Sequence, residues 1–246
     1  MIDTHAHLEG LPDPRAALAR AWGAGVRAVV AVAMDRQAGQ EALALAASEP
    51  RVWPAVGLHP WRVTAEELEA ELAFVAAELP RAVALGEVGL DYKLKVPKDL
   101  QKAALAAQLD LAWAHGKPAL VHCRFSETRV LEALARAGVR AVFHWFAAPP
   151  LLERVVAEGH YISATPAVAT SPPHRQAVAA CPLDRLLLET DTPVEHAGRP
   201  TGPDRVTEAC RLVAELRGFS PAAIARRTTA NALTFLGREL SDHPSG

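Results

Sequence analysis

Cysteine is scarce in this chain: Cys123, Cys181 and Cys210 are the only three in 246 residues, and they stand far apart. An odd, scattered set with no Cys-x-x-Cys pair excludes a disulfide framework and a structural zinc knuckle, and it fits a reducing, cytoplasmic setting. No apolar run reaches about 18 residues without a charge, and the N-terminus lacks the basic-then-apolar order of a signal peptide. The chain therefore reads as soluble, with no membrane contact, and nothing in it calls for an obligate protein partner. Charge of neither sign dominates, the formal net charge being -2. Without a global basic field, a protein that coats nucleic acid is excluded, and a nucleic-acid substrate must be drawn by a local patch or by bound metal. Aromatics are only 5% of the chain. No glycine-rich phosphate loop follows the first apolar stretch, which argues against an open dinucleotide-binding sheet.

What is present is alanine, leucine and valine, in a chain whose residues are half hydrophobic. That is enough for a sizeable core, and it suits helices packed around short aliphatic strands. Spaced apolar residues from 12 to 25 end in glycine and read as a capped helix. Residues 26–32 then run apolar and β-rich. The alternation repeats, with helices expected at 36–49, 64–79, 98–115, 126–137, 149–158 and 173–180 and strands at 52–58, 82–88, 118–122, 139–144, 161–164 and 185–189. Two helical stretches, 203–217 and 221–236, close the pattern. With the opening strand this makes eight apolar strands interleaved with helices, as a closed parallel barrel requires. The expected fold is α/β, a single-domain TIM (β/α)8 barrel over residues 1–240, with a short polar tail at 241–246.

The barrel gives meaning to Ile2-Asp3-Thr4-His5-Ala6-His7. In an extended strand the side chains at i and i+2 share a face, so His5 and His7 can point at one metal ion. Two imidazoles do not complete a catalytic site, which needs three or more protein ligands and an open position. In a parallel barrel the reactive groups sit at the C-terminal strand ends. Four more strands close on ligand-type residues: Glu87 at strand four, His122 at five, His144 at six and Asp191 at eight. His122 and His144 lie one β-α unit apart, and Asp191 follows two units later.

Six such residues exceed what one ion needs, and a carboxylate can bridge where an imidazole nitrogen cannot. Two divalent ions, Mg, Mn or Zn, are therefore expected, with Glu87 between them, His5, His7 and Asp191 on one, and His122 and His144 on the other. With both carboxylates and a hydroxide counted, roughly one positive charge remains in a low-dielectric mouth, which suits a phosphate oxyanion. Plainer readings stand beside these. Glu87 could be an interior carboxylate paired with an arginine, and Arg124 either a phosphate fork or a structural ion-pair partner. Glu189 reads as a group that orients a ligand, and His59 as a substrate contact. Trp61, Trp145 and Tyr92 are faces for stacking bases or else rim packing. His115, His160, His174, His196 and His243 read as surface or capping histidines.

The segments Asp3-Thr4-His5-Ala6-His7-Leu8, Val56-Gly57-Leu58-His59-Pro60, Gly86-Glu87-Val88-Gly89-Leu90-Asp91-Tyr92, Val121-His122-Cys123-Arg124, His144-Trp145-Phe146 and Glu189-Thr190-Asp191-Thr192-Pro193 resemble the signature blocks of the TatD family of metal-dependent deoxyribonucleases, within the amidohydrolase superfamily. They occur in family order, and Thr229-Ala230-Asn231 with Phe235-Leu236-Gly237 resembles the family's last helix. The resemblance implies a TIM barrel with two divalent ions and 3′-to-5′ exonuclease or related phosphodiesterase activity, with single-stranded DNA as the expected substrate. It carries over His5, His7, Glu87, His122, His144 and Asp191 as metal ligands, and Arg124 and His59 as substrate contacts. One block departs. Many members follow the strand-six histidine with a Phe-Ser-Gly turn, where this chain has Phe146-Ala147-Ala148-Pro149-Pro150, without the hydroxyl; substrate preference is the property this touches.

The expected chemistry is attack on phosphorus by water activated between the ions, with Asp191 as proton acceptor, Glu87 as the shared carboxylate and Arg124 facing the phosphoryl oxygens. The alternative on the same site is hydrolysis of an ester, lactone, amide or aminoacyl ester, since barrels host many chemistries. A carbonyl-specific relative often bridges with a modified lysine at strand four, and Glu87 there favours phosphate. A protein with purely structural metals would not need all six ligand positions filled.

Overall fold

A computed structural model describes residues 1–196, 198 and 202–240; the expected tail at 241–246, with His243, lies outside the described residues. The strands are β1 (Ile2–Ala6), β2 (Ala28–Val32), β3 (Val52–Val56), β4 (Ala84–Asp91), β5 (Ala119–Arg124), β6 (Ala141–Phe143), β7 (Tyr161–Ala164) and β8 (Leu186–Leu188). They lie side by side in sequence order and pair in parallel throughout, from Ile2 against Ala28 round to Ala164 against Leu188. Around them run α1 (Pro14–Gly23), α2 (Arg36–Ser48), α3 (Leu68–Glu78), α4 (Lys98–Ala114), α5 (Glu127–Ala137), α6 (Leu152–Ala157), α7 (Pro172–Ala180), α8 (Val206–Arg217) and α9 (Pro221–Leu236).

Local signals set these boundaries. Asp13 and Asp35 accept the backbone N–H groups of Ala16 and Ala38, which caps α1 and α2. Gly138, Gly218 and Gly237 adopt left-handed conformations just past α5, α8 and α9, where a Cβ would be penalised. The largest departure from the sequence pattern is β4. Expected to end at 88, it runs on to Asp91, because Gly89, Leu90 and Asp91 continue the ladder against His122, Cys123 and Arg124. Gly89 makes this possible: its φ is 151°, and a Cβ there would sit 2.0 Å from the His122 carbonyl oxygen.

The strands bury both faces. Outward, residues such as Val29, Val56, Leu85, Val121, Phe143 and Ile162 pack against the helices. Inward, Ile2, Val30, Trp53, Leu120, Val142 and Leu187 form a second cluster, sealed by Ala232, Phe235 and Leu236 of α9. Helix α9 is pinned there by Asn231, whose Nδ2 donates to the Leu183 and Leu186 carbonyls, and by Arg140, which donates to the Phe235 carbonyl. The end of the barrel where the strands begin is therefore plugged by aliphatic and aromatic carbon.

Between β8 and β1 there is no regular ladder, only a bridge of Ala6 with Thr192. Closure is made by individual bonds: Thr4 Oγ1 to the Leu188 carbonyl (2.9 Å), Asp191 N to the His5 carbonyl (2.9 Å) and His7 N to the Thr192 carbonyl (2.7 Å). The buried Asp3 carboxylate adds a clasp, accepting Thr190 N (3.0 Å), Thr190 Oγ1 (2.7 Å) and His5 N (3.3 Å). Among the described residues no helix is long and apolar enough to cross a membrane.

Candidate metal centre

At the opposite end, toward which the strands run, the interior turns from apolar to ionisable. His5 and His7 on either side of Ala6, Glu87 on β4, His122 on β5, His144 just past β6 and Asp191 just past β8 converge there, all largely buried. Three non-glycine residues of this rim hold left-handed backbones, Phe125 (φ 57°) after β5, Trp145 (φ 42°) after His144 and Asp191 itself (φ 57°). Such conformations persist only when the surroundings over-determine them. For Asp191 the determinants are visible, since its N–H is held by His5 and its carbonyl accepts from Val194 N.

Glu87 is the centre of the arrangement. Its Oε2 lies 3.3 Å from both His5 Nε2 and His7 Nε2, which are themselves 3.1 Å apart. Its Oε1 lies 3.2 Å from His122 Nδ1 and 2.9 Å from His144 Nε2, and those two nitrogens are 3.4 Å apart. Each oxygen thus heads a triangle of lone-pair donors. Ligands held about 2.1 Å from one ion at near-tetrahedral or octahedral angles are separated by roughly 3.0–3.4 Å, so both triangles have the edges of a metal site. Asp191 Oδ1 stands 3.7 Å from the Nε2 atoms of His5 and His7, on the first triangle.

The tautomers agree with this assignment. His7 Nδ1 faces the Val32 carbonyl at 3.0 Å, so it carries the proton and leaves Nε2 bare toward Glu87. His122 Nε2 faces Asp91 Oδ2 at 3.3 Å, leaving Nδ1 bare. His144 Nδ1 lies 3.6 Å from Glu189 Oε1, which also accepts the Trp145 N–H at 2.8 Å. These are the carboxylate- or carbonyl-backed imidazoles that metal sites use. His59 is different. Its Nδ1 accepts the Trp61 N–H at 3.1 Å, so the neutral ring carries its proton on Nε2, which points at Glu87 Oε1 from 3.4 Å and has no lone pair to give a metal. Burial keeps that ring neutral, with its pKa lowered to about 4.

The electrostatics ask for cations. Burial would raise the Glu87 carboxyl, but the imidazoles of His59, His144, His5 and His122 outweigh it and hold the group well below the usual carboxylate range. Burial would lower His7 and His144; nearby carboxylates, Glu87 foremost, overcome it and raise His7 to about 10 and His144 well above its ordinary value. Protons are the stand-ins a ligand cluster recruits when no metal neutralises its carboxylates. Glu87 Oε1 is buried and accepts no hydrogen bond despite the three ring nitrogens around it, as expected of an oxygen whose lone pairs serve an ion.

The family model for TatD-related DNases matches residues 2–237. The chain belongs to this family. A metal-dependent hydrolase TatD of Mycobacterium tuberculosis is 34% identical, the match covering 94% of this chain and 96% of that protein. A 3′-5′ ssDNA/RNA exonuclease TatD of Erwinia tasmaniensis is 35% identical over 87% of this chain and 89% of its own length. The crystal structure of a TatD homologue from Escherichia coli K12 superposes with a TM-score of 0.88 at 28% identity, covering 97% of this chain and 98% of that one. As a TatD-family member this chain is a hydrolase acting on ester bonds, and the eight-stranded barrel expected from its sequence is the fold found.

Around the centre of this TatD-family barrel, several residues fall in places the sequence did not foretell. Asp91 was quoted only as part of a motif, yet it is buried and joins His122 to Trp61, whose Nε1–H it accepts at 2.8 Å. The signal was there, because residues 87, 89 and 91 share one face of β4. Asp3 was likewise missed, although it shares parity with His5. His160, His174 and His196, read as surface or capping residues, are buried instead. Each sits inside because its ring nitrogens find backbone partners: Ala141 N for His160, Thr165 N and the Phe146 carbonyl for His174, and the Thr190 carbonyl for His196. His115, at the end of α4, is exposed as expected. Arg124 ends β5 exposed, with no ion-pair partner among the described residues. Trp145 lies against His196, Tyr92 beneath the Lys98 ammonium, and Ala147 is exposed just before the turn at Pro149–Leu151.

Proposed function

We propose that this protein hydrolyses phosphodiester bonds of single-stranded nucleic acid, DNA foremost, from the 3′ end, with two divalent ions, Mg, Mn or Zn, sharing Glu87. The observation that carries this reading is the pair of nitrogen triangles meeting at the two oxygens of one buried carboxylate. Relatives named as 3′-5′ ssDNA/RNA exonucleases support the substrate and the polarity. His5, His7 and Asp191 would hold one ion, His122 and His144 the other. When bound, such a pair lowers the pKa of water toward neutrality and neutralises charge on a phosphoryl group.

The residues do the rest. Asp191 sits at the open side of the first triangle and takes the proton of the attacking water as its oxygen bonds to phosphorus and the bond to the departing sugar oxygen breaks. Arg124, exposed at the rim, offers two parallel donors to the phosphoryl oxygens. His59 Nε2 faces Glu87 Oε1 at 3.4 Å and Glu189 Oε1 faces His144 Nδ1 at 3.6 Å, where each would back a ligand once the ions are bound. Three free thiols support a reducing, cytoplasmic setting.

The test is turnover by purified protein stripped of metal and reloaded with Mg, Mn or Zn singly. Substrates are 5′-labelled single-stranded DNA and RNA, bis-p-nitrophenyl phosphate, and a panel of aryl esters and lactones. A ladder shortening from the 3′ end, with about two ions per chain by elemental analysis, is expected. Turnover of the esters or lactones with every phosphodiester left intact under all three ions overturns the reading.

A further inference from the structure

Among the large hydrophobic side chains of the described residues, Trp61, Trp113, Phe125, Val194 and Phe219 are the exposed ones, and of these Trp61 packs against His122 and His59 of the candidate metal centre. Half of it is open to solvent, yet the ring is fixed on three sides. Its Nε1–H donates to Asp91 Oδ2 at 2.8 Å, its ring meets His59 edge-on at a centroid distance of 5.0 Å, and it meets His122 edge-on at 6.0 Å. An indole left half-exposed gains little from burial; one held by a buried carboxylate is a rigid apolar surface kept in a set orientation. Asp91 is in turn locked by Lys93 N on its other oxygen, and its backbone N–H and carbonyl are both engaged by Gln101. The oxygen that receives Trp61 also receives His122 Nε2 at 3.3 Å. One carboxylate atom therefore orients both a metal ligand and the aromatic face beside it.

We propose that Trp61 is the specificity-determining base platform of this enzyme, stacking on the base of a nucleotide flanking the scissile bond, and that Asp91 registers this platform against His122. This rests on the phosphodiesterase reading above and adds the element that would make the enzyme prefer a nucleotide over a bare phosphodiester. Base-aromatic stacking is tolerant of sequence, so the platform discriminates for the presence of a base and little for its identity.

The experiment compares pentathymidylate with the same strand carrying a tetrahydrofuran abasic residue at the 3′-terminal or the penultimate position. The reading is the ratio of kcat/KM values, which a general loss of activity leaves unmoved. The wild type is expected to favour the intact strand over one of the abasic strands by about tenfold. Trp61→Ala brings that ratio to about one, and Trp61→Phe, which keeps a ring and drops the N–H to Asp91, keeps part of it. Independently of turnover, a strand with 5-iodouracil at the discriminating position should photocrosslink to Trp61, located by peptide mass spectrometry. Trp61→Ala retaining the wild-type ratio, or crosslinking to Phe125 with none at Trp61, overturns the platform while leaving the phosphodiesterase reading intact. A metal-loaded wild type that cleaves none of the strands overturns both.

Discussion

The two ends of the barrel interior are built on the same strands and do opposite things. Toward the strand starts, Ile2, Val30, Trp53, Leu120, Val142 and Leu187 close on Phe235 of α9 with no carboxylate or imidazole in their cluster. Toward the strand ends, the same strands deliver His5, Glu87, His122, His144 and Asp191 within a few ångströms of one another. The apolar end stabilises the fold by excluding water. The polar end is held in a conformation it would not adopt alone, since a buried carboxylate ringed by imidazoles costs free energy unless ions or protons neutralise it. The lesson is a division of labour along each strand: the first residues secure the frame that the last residues load.

That contrast can be broken from either end. The largest effect is expected at the rim: Asp191→Asn should lower kcat by about 10²–10⁴-fold while leaving the far-ultraviolet circular dichroism unchanged, as the loss of a general base would. At the plug, Phe235→Ala should leave the metal content of the folded protein intact but cost about 3–5 kcal/mol in denaturant unfolding. If instead the plug variant lost metal in proportion to stability, the two ends would not be separable. Between them, Asp91→Asn alters what stands behind His122 and Trp61, and metal affinity by competitive chelation should weaken about 10–100-fold.

The smallest effect is a pH dependence carried by the frame. Burial lowers the pKa of His160 below its ordinary 6.5, so the folded protein keeps the ring neutral where the unfolded chain takes a proton. The stability it contributes is fully present above about pH 6.5 and is lost as pH falls through the lowered value. His160→Asn, whose Oδ1 can still accept from Ala141 N, should flatten the fall in unfolding midpoint between about pH 7 and pH 5. An unaltered slope would assign that pH dependence elsewhere.

The barrel and the convergence of the candidate ligands were legible because both depend on local order. Strand-helix alternation and a polar residue closing an apolar run can be read one segment at a time, and that reading singles out His5, His7, Glu87, His122, His144 and Asp191, which the structure brings to one mouth. What stayed hidden depends on partners far away in the chain. Nothing near His174 announces that Phe146 and Thr165 will satisfy both of its nitrogens, and nothing near His160 names Ala141. Asp91 shares the parity of Glu87, but the sequence pattern ends the strand at 88; pairing with β5 carries β4 past Gly89 and brings a second carboxylate to the mouth. Trp61 could be read as a stacking face or as rim packing, and the bond to Asp91 gives it a fixed orientation at the rim.

The seam between β8 and β1 has a temporal meaning. Its bonds span some of the longest loops the chain contains, Thr4 reaching a carbonyl 184 residues away, and they cannot all be made before residue 192 has been synthesised. Nuclease chemistry is thus withheld from a half-made polypeptide, because His5 and Asp191 become neighbours only when the ring has zipped shut.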